Sequence, residues 1–146
     1  MTTETFAKLL QFSISPIALI SGASLLLLSI TNRLGRTIDR SRILVRELEG
    51  GAELPSKEDH KIQLKILLAR SHYLRAAVLS ISTSILLSVF MIVGVTAQIF
   101  MGWEFKTFVL VCLSCSVLAL GGAVVLLFAD VSAGLHALTI EVRRHI

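Results

Sequence analysis

Residues 76–103 read AAVLSISTSILLSVFMIVGVTAQIFMGW and contain no charged side chain. Two other stretches are equally free of charge, from Leu9 to Asn32 and from Thr107 to Ala129. An apolar helix needs about 20 residues to cross the roughly 30 Å hydrocarbon core of a bilayer. Inside lipid each backbone amide must find its hydrogen-bond partner within its own helix, so stretches of this length and composition are helical. The sequence therefore predicts an all-α, polytopic membrane protein with three transmembrane spans.

The basic residues are distributed unevenly around these spans. Ten of the 14 Lys and Arg residues lie between the first two spans: Arg33, Arg36, Arg40, Arg42, Arg46, Lys57, Lys61, Lys65, Arg70 and Arg75. Arg143 and Arg144 follow the third span, whereas the amino end and the loop after the second span carry one lysine each. Because segments rich in Lys and Arg stay on the cytoplasmic side, the sequence predicts that the chain runs N-out, C-in.

Residues 33–75, between the first two spans, change from uniformly apolar to amphipathic. Apolar or small residues recur twice with heptad-like spacing: Leu34, Ile38, Ser41, Val45 and Leu48, then Ile62, Ile66, Ala69, Tyr73 and Ala76. Gly50, Gly51 and Pro55 lie between the two patterns and predict a turn. We expect a cytoplasmic antiparallel helical hairpin in which the two stripes pack on each other, each arm continuing into its neighbouring span as one helix.

The last segment, residues 130–146, completes a single membrane domain of residues 1–146. Its apolar side chains Val131, Leu135, Leu138 and Val142 fall on one face. This pattern predicts a cytoplasmic amphipathic helix that leans on the hairpin or on the membrane surface.

Hydroxyl side chains form stripes in the first two spans. The candidate pore-lining residues are Ser13, Ser21, Ser24 and Thr31 in the first span and Ser80, Ser84 and Ser88 in the second. One interpretation is close helix packing, in which each interhelical hydrogen bond contributes about 0.6 kcal/mol. The other is a pore in which hydroxyl oxygens and apolar rings control passage. The sequence leaves both interpretations open.

Features of catalytic or metal sites are sparse. No Asp, Glu, Lys, Arg or His is predicted in the core of any span, which argues against a proton pump. Cys112 and Cys115 have C-x-x-C spacing in the third span, but no histidine is predicted at that depth to complete a metal site. The closest candidates for catalysis are His60 beside Glu58 and Asp59, and His136 near Asp130 and Glu141, and both groups lie on predicted exposed helices. We therefore expect no enzyme activity, no metal and no cofactor.

A series of short motifs in the first third of the chain suggests a family. The motifs are Ile14-Ser15-Pro16, Ser21-Gly22, Leu25-Leu26-Leu27-Leu28, Thr31-Asn32-Arg33-Leu34, Arg36, Asp39-Arg40 and Arg42. In these the chain resembles a bacterial family of small three-span membrane proteins known only as a domain of unknown function. The likeness covers nearly the whole chain. It implies a bacterial inner membrane protein with no established activity.

The order of segments is also similar to that of the ring-forming proton-channel subunits of ExbB and MotA type, as an analogy of layout only. We expect a homo-oligomeric ring, for example a pentamer, that conducts small ions. Arg33, Arg36 and Arg40 would line its cytoplasmic mouth or contact a protein partner or anionic lipid headgroups. The alternative is a membrane scaffold or assembly factor whose basic hairpin docks a cytoplasmic partner. No nucleic acid is expected, since the basic residues alternate with acidic ones beside the spans.

Overall fold

The computed structural model describes residues 3–50, 54–101 and 106–145, with side chains described throughout 14–50, 60–100 and 106–135. These residues form α1 (Thr3–Glu49), α2 (Leu54–Met101) and α3 (Lys106–His145). All three helices are long and apolar enough, by length and composition, to cross a membrane. The predicted all-α fold with three long apolar helices is confirmed.

The helices continue beyond the apolar stretches that predict them. As expected, α1 continues without a break from its charge-free stretch into the charged segment, and α2 continues without a break from the charged segment into its own charge-free stretch. α3 likewise continues past Ala129, so residues 130–145 belong to α3 and do not form a separate helix. At the end of α1 the Gly50 N–H donates to the Arg46 carbonyl at 2.9 Å. Pro55, predicted in the turn, lies in the first turn of α2, where its missing N–H costs nothing.

The chain divides into two compact units that are described separately. The first unit contains the described parts of residues 1–28 and 79–123, and the second contains those of residues 29–78 and 124–146. Each helix contributes to both units.

Buried side chains recur along each helix with the spacing of a coiled coil. On α1 they lie seven residues apart: Pro16, Ala23, Ile30, Thr37 and Leu44. On α2 they alternate at three and four residues: Leu74, Ala77, Ile81, Ser84, Ser88 and Met91. A repeat of seven residues keeps one face of a helix directed at its neighbours through a left-handed supercoil. Many of these positions are small or polar, which allows the backbones to approach closely.

In the second unit the packing face differs from the predicted one by about one residue. On α1 the buried positions are Thr37 and Leu44, whereas Ile38 and Val45 are 38% and 40% exposed. On α2 the buried residue is Leu74, whereas Tyr73, which the predicted stripe contains, is 41% exposed. Ile62 is also exposed.

Ala69 and Ala76 are exposed as well. The predicted stripes of the hairpin were therefore wrong at Ile38, Val45, Ile62, Ala69, Tyr73 and Ala76. The physical reason is that α3 also packs in this unit, so α1 and α2 bury faces that they share with α3 and not only the faces that they would turn to each other. Within the second unit, Glu47 Oε2 near the end of α1 lies 3.4 Å from His60 Nε2 near the start of α2.

The structure describes two side chains of the apolar face predicted after the third span, and the chain itself leaves both uncovered. Val131 and Leu135 are 36% and 60% exposed, and the residue buried in this turn is Asp130. The side chains of Leu138 and Val142 lie outside the described residues.

Candidate functional site

Among the residues whose side chains are described, Asp130 is the one buried Asp, Glu, Lys, Arg or His. It directly follows the charge-free stretch that ends at Ala129. It lies seven residues after Ala123 and fourteen after Ser116, both buried, so it continues the packing face of α3. A buried carboxylate is tolerated only where charged or hydrogen-bonding partners replace the water that it loses. Asp130 therefore requires partners from the neighbouring helices.

Arg70 of α2 is the main partner of Asp130. Its Nε donates to Oδ1 at 2.9 Å and its Nη2 to Oδ2 at 3.5 Å, so the guanidinium engages both carboxylate oxygens. The Arg70 side chain is 28% exposed. One turn after Asp130, a Cβ placed on Gly134 would lie 3.3 Å from Arg70 Cζ. The missing side chain at Gly134 therefore leaves room for the guanidinium against α3.

Arg33 of α1 supplies a second guanidinium. Its Nη1 lies 4.0 Å from Asp130 Oδ2, which is too long for a hydrogen bond but close enough for direct Coulomb attraction. The Arg33 side chain is 42% exposed. One turn later on α1, the buried Thr37 uses its hydroxyl to bond the Arg33 carbonyl at 3.0 Å.

We call Arg33, Arg70 and Asp130 the charge cluster. It joins all three helices of the second unit through one buried carboxylate. Because it holds two cations and one anion, its formal net charge is +1, and the excess sits on partly exposed guanidinium groups. The arrangement can stabilise the helix packing and attract an anion from outside.

The sequence predicted Arg33 at a cytoplasmic mouth and did not single out Arg70. It named Asp130 only beside His136 on a predicted exposed helix, whereas Asp130 is fully buried. The signal that identifies them is periodicity. Arg70 lies seven residues before the buried Ala77, and Asp130 lies seven after the buried Ala123. The third span was taken to end at Ala129, where the charge-free stretch ends, and Asp130 was therefore placed in the following segment.

The span-two serines contact α3 within the first unit. The Ser84 hydroxyl donates to the Ser116 carbonyl at 2.8 Å, and the Ser116 hydroxyl donates to the Ser84 carbonyl at 2.9 Å. Ser88 Oγ lies 2.9 Å from Ser116 Oγ, and Ser80 donates to the Ala119 carbonyl at 2.7 Å. Ser84, Ser88 and Ser116 are fully buried. We call these three residues the serine network; within one chain it packs α2 against α3.

The span-one hydroxyls have a different environment. Ser21 and Ser24 are exposed in the first unit, and the Ser24 hydroxyl donates to the Ile20 carbonyl one turn earlier at 2.8 Å. Thr31 is exposed in the second unit. The Ser13 side chain lies outside the described residues.

The two other arginines proposed for the mouth are exposed on α1. Arg36 directs its Nε to the Asn32 carbonyl at 3.4 Å, within its own helix. Arg40 is exposed two turns after Arg33. Neither belongs to the charge cluster, so the structure brings only Arg33 of the three candidates to Asp130.

The remaining candidates for chemistry are isolated. Among the residues that the structure describes, no group of three or more His, Cys, Asp or Glu side chains could hold a metal ion. Cys112 is buried, Cys115 is exposed, and both are free thiols. His60 lies beside Glu47 of α1, whereas the side chains of Glu58 and Asp59 lie outside the described residues.

Comparison with known proteins identifies a family and no activity. A family model described as a protein of unknown function, DUF2721, matches residues 13–140. The chain belongs to the DUF2721 family. The DUF2721 match includes Arg33, Arg70 and Asp130, and it confirms the predicted relation to a domain of unknown function. No curated protein and no solved structure matches the chain.

Proposed function

We propose that this DUF2721 protein is a homo-oligomeric protein of the bacterial inner membrane and conducts small ions through a pore formed between its copies. Its chain runs N-out, C-in, with the antiparallel hairpin of residues 33–75 in the cytoplasm. The proposal is supported by three helices able to cross a membrane and by the concentration of Lys and Arg between the first two spans.

The main support for the pore is that the hydroxyl stripes of α1 and α2 differ in exposure. Ser80, Ser84 and Ser88 use their hydroxyl groups inside the chain, on α3. Ser21 and Ser24 remain on the exposed side of α1. A pore between copies must be lined by a face that one chain leaves uncovered, and the oxygens of such a face can replace part of an ion's hydration shell. We therefore assign the lining of the pore to α1.

Copies arranged as a ring, for example a pentamer, would repeat the arginines of α1 around the cytoplasmic mouth. Arg36 and Arg40 are exposed, and the charge cluster adds a further net positive charge through Arg33. Repeated positive charges concentrate anions, so we expect the pore to prefer anions over cations. The layout is similar to that of ExbB and MotA subunits, and the analogy extends to ring formation only.

We also propose that the protein is not an enzyme and binds no cofactor. Among the residues whose side chains are described, this is supported by the positions of the candidate groups: one cysteine thiol is buried and the other exposed on an apolar helix, and His60 lies beside Glu47 on a different helix. Nucleophilic catalysis requires a nucleophile, a base and an orienting group within hydrogen-bonding reach of one another.

Ion flux from liposomes containing the purified protein tests the pore. We expect flux above that of empty liposomes, and Ser24→Leu should remove most of it by adding an apolar barrier to the lining. The control is Ser114→Leu, because Ser114 is also exposed and bonds the carbonyl one turn earlier, at 2.9 Å, but lies on α3. Arg36→Glu should weaken the preference for anions. Wild-type protein without flux, or equal loss in both leucine variants, would contradict an α1-lined pore.

A scaffold is the second candidate, and the exposed surface of the second unit favours it. Arg36 and Arg40 are exposed there, together with the apolar Ile43 and Leu68, which are 45% and 51% exposed. Exposed apolar side chains beside basic ones suit an acidic, partly apolar protein surface. In that case a cytoplasmic protein binds with an affinity that depends on Arg36 and Arg40, and liposomes show no flux.

A further inference from the structure

The charge cluster has one more cation than anion, and the excess charge lies at its outer side. Arg70 occupies both oxygens of Asp130, and Arg33 remains 4.0 Å from the nearer oxygen. Asp130 is fully buried, while the Arg33 side chain is 42% exposed. The guanidinium of Arg33 can therefore donate hydrogen bonds to a ligand outside the protein while it stays in the field of Asp130.

The position of Arg33 along α1 indicates what that ligand is. Arg33 is the first charged residue after the stretch from Leu9 to Asn32, and Asp130 is the first after the stretch from Thr107 to Ala129. Where apolar spans end, the neighbouring groups of a bilayer are lipid headgroups, whose phosphates are the anions at that depth.

The neighbouring arginines extend the positive surface around Arg33. At about 100° per residue, Arg36 and Arg40 lie within about 60° of Arg33 around the helix axis. Both are exposed. The nearby acid Asp39 pairs instead with Arg42 at 3.9 Å, and both of those side chains are 72% exposed. Arg42 lies nine residues from Arg33, on the opposite side of the helix.

We propose that Arg33, with Arg36 on the next turn, binds the phosphate of an anionic phospholipid, and that Asp130 weakens this binding by neutralising one of the two guanidinium groups. A guanidinium presents several N–H donors in a plane and suits phosphate oxygens. The site rests on the membrane placement in the proposed function, and its test requires no pore.

The test is titration of the detergent-solubilised full chain with phosphatidylglycerol, followed by native mass spectrometry, with phosphatidylcholine as the lipid of zero net charge. We expect Arg33→Gln to weaken phosphatidylglycerol binding about fivefold, the effect of one Arg near an anionic surface. Arg42→Gln removes the same charge from the opposite face and should leave binding unchanged. Arg33→Lys, which keeps the charge, should retain most of the binding.

If Arg33→Gln disturbs folding, Asp130→Asn still tests the site, because this variant should strengthen phosphatidylglycerol binding and a folding defect would not. With the carboxylate neutralised, phosphatidylglycerol should bind more tightly while phosphatidylcholine binding stays the same. Equal losses in Arg33→Gln and Arg42→Gln, or weaker binding by Asp130→Asn, would overturn the site.

Inorganic phosphate distinguishes a lipid from a soluble anion. Millimolar phosphate that displaces the lipid and binds the protein in its absence would overturn the assignment to a phospholipid. Because this assay involves neither flux nor a ring, its failure would leave the pore untouched, and loss of the pore would leave the lipid site untouched.

Discussion

Replacing Arg70 by methionine is expected to destabilise the protein by about 3–5 kcal/mol, the cost of removing one partner from a buried ion pair. Asp130 would remain fully buried, and of its two guanidinium partners only Arg33, at 4.0 Å, would be left. Replacing Asp130 by asparagine should cost less, because the Arg70 and Arg33 side chains are 28% and 42% exposed and can turn to water. Denaturant unfolding in detergent, followed by circular dichroism, measures both free energies of unfolding.

Arg75→Met is the matched control for Arg70→Met. Arg75 is an exposed arginine of the same helix, five residues away, so its replacement should change stability by less than about 0.5 kcal/mol. In the double variant Arg70→Met with Asp130→Leu both charges are gone, and most of the lost stability should return. If Arg70→Met and Arg75→Met unfold alike, Asp130 does not depend on Arg70.

Replacing Ser116 by leucine is expected to be the most damaging single change in the first unit. Ser116 is fully buried between α2 and α3 and contacts both Ser84 and Ser88 through hydrogen bonds of 2.8–2.9 Å. Extra methylene groups in a packed interior cost about 1–3 kcal/mol, and each lost interhelical hydrogen bond adds about 0.6 kcal/mol. The same unfolding measurement detects the loss.

Ser114→Leu adds the same side chain two residues away. Ser114 is exposed and bonds only the Leu110 carbonyl of its own helix, so the substitution should leave unfolding nearly unchanged. Ser116→Ala should lie between the two, since it removes a hydroxyl without adding volume. A destabilisation by Ser114→Leu as large as that by Ser116→Leu would contradict the assignment of the serine network to helix packing.

The three helices could be predicted from the sequence because each contains a charge-free stretch longer than a bilayer requires. The continuity of α1 through Gly35 and Arg36 was also predictable, since no residue there breaks a helix. Both conclusions depend only on local composition, because the length and apolar character of a stretch are enough to predict a long helix.

The packing faces of the second unit were not predictable from apolar periodicity alone. The stripe containing Ile38 and Val45 is more apolar than the buried one containing Thr37, yet Thr37 is 5% exposed. The choice between them depends on α3, whose part in this unit begins more than 80 residues after Thr37. A preference set by contacts with so distant a segment is not visible in a local pattern.

The proposed pore requires that copies of this protein assemble into a ring. Native mass spectrometry of the protein extracted in lipid nanodiscs measures the number of copies directly. We predict a single dominant species of four or more copies that persists on dilution. A monomer or a dimer as the dominant species would contradict the ring and, with it, the pore between copies.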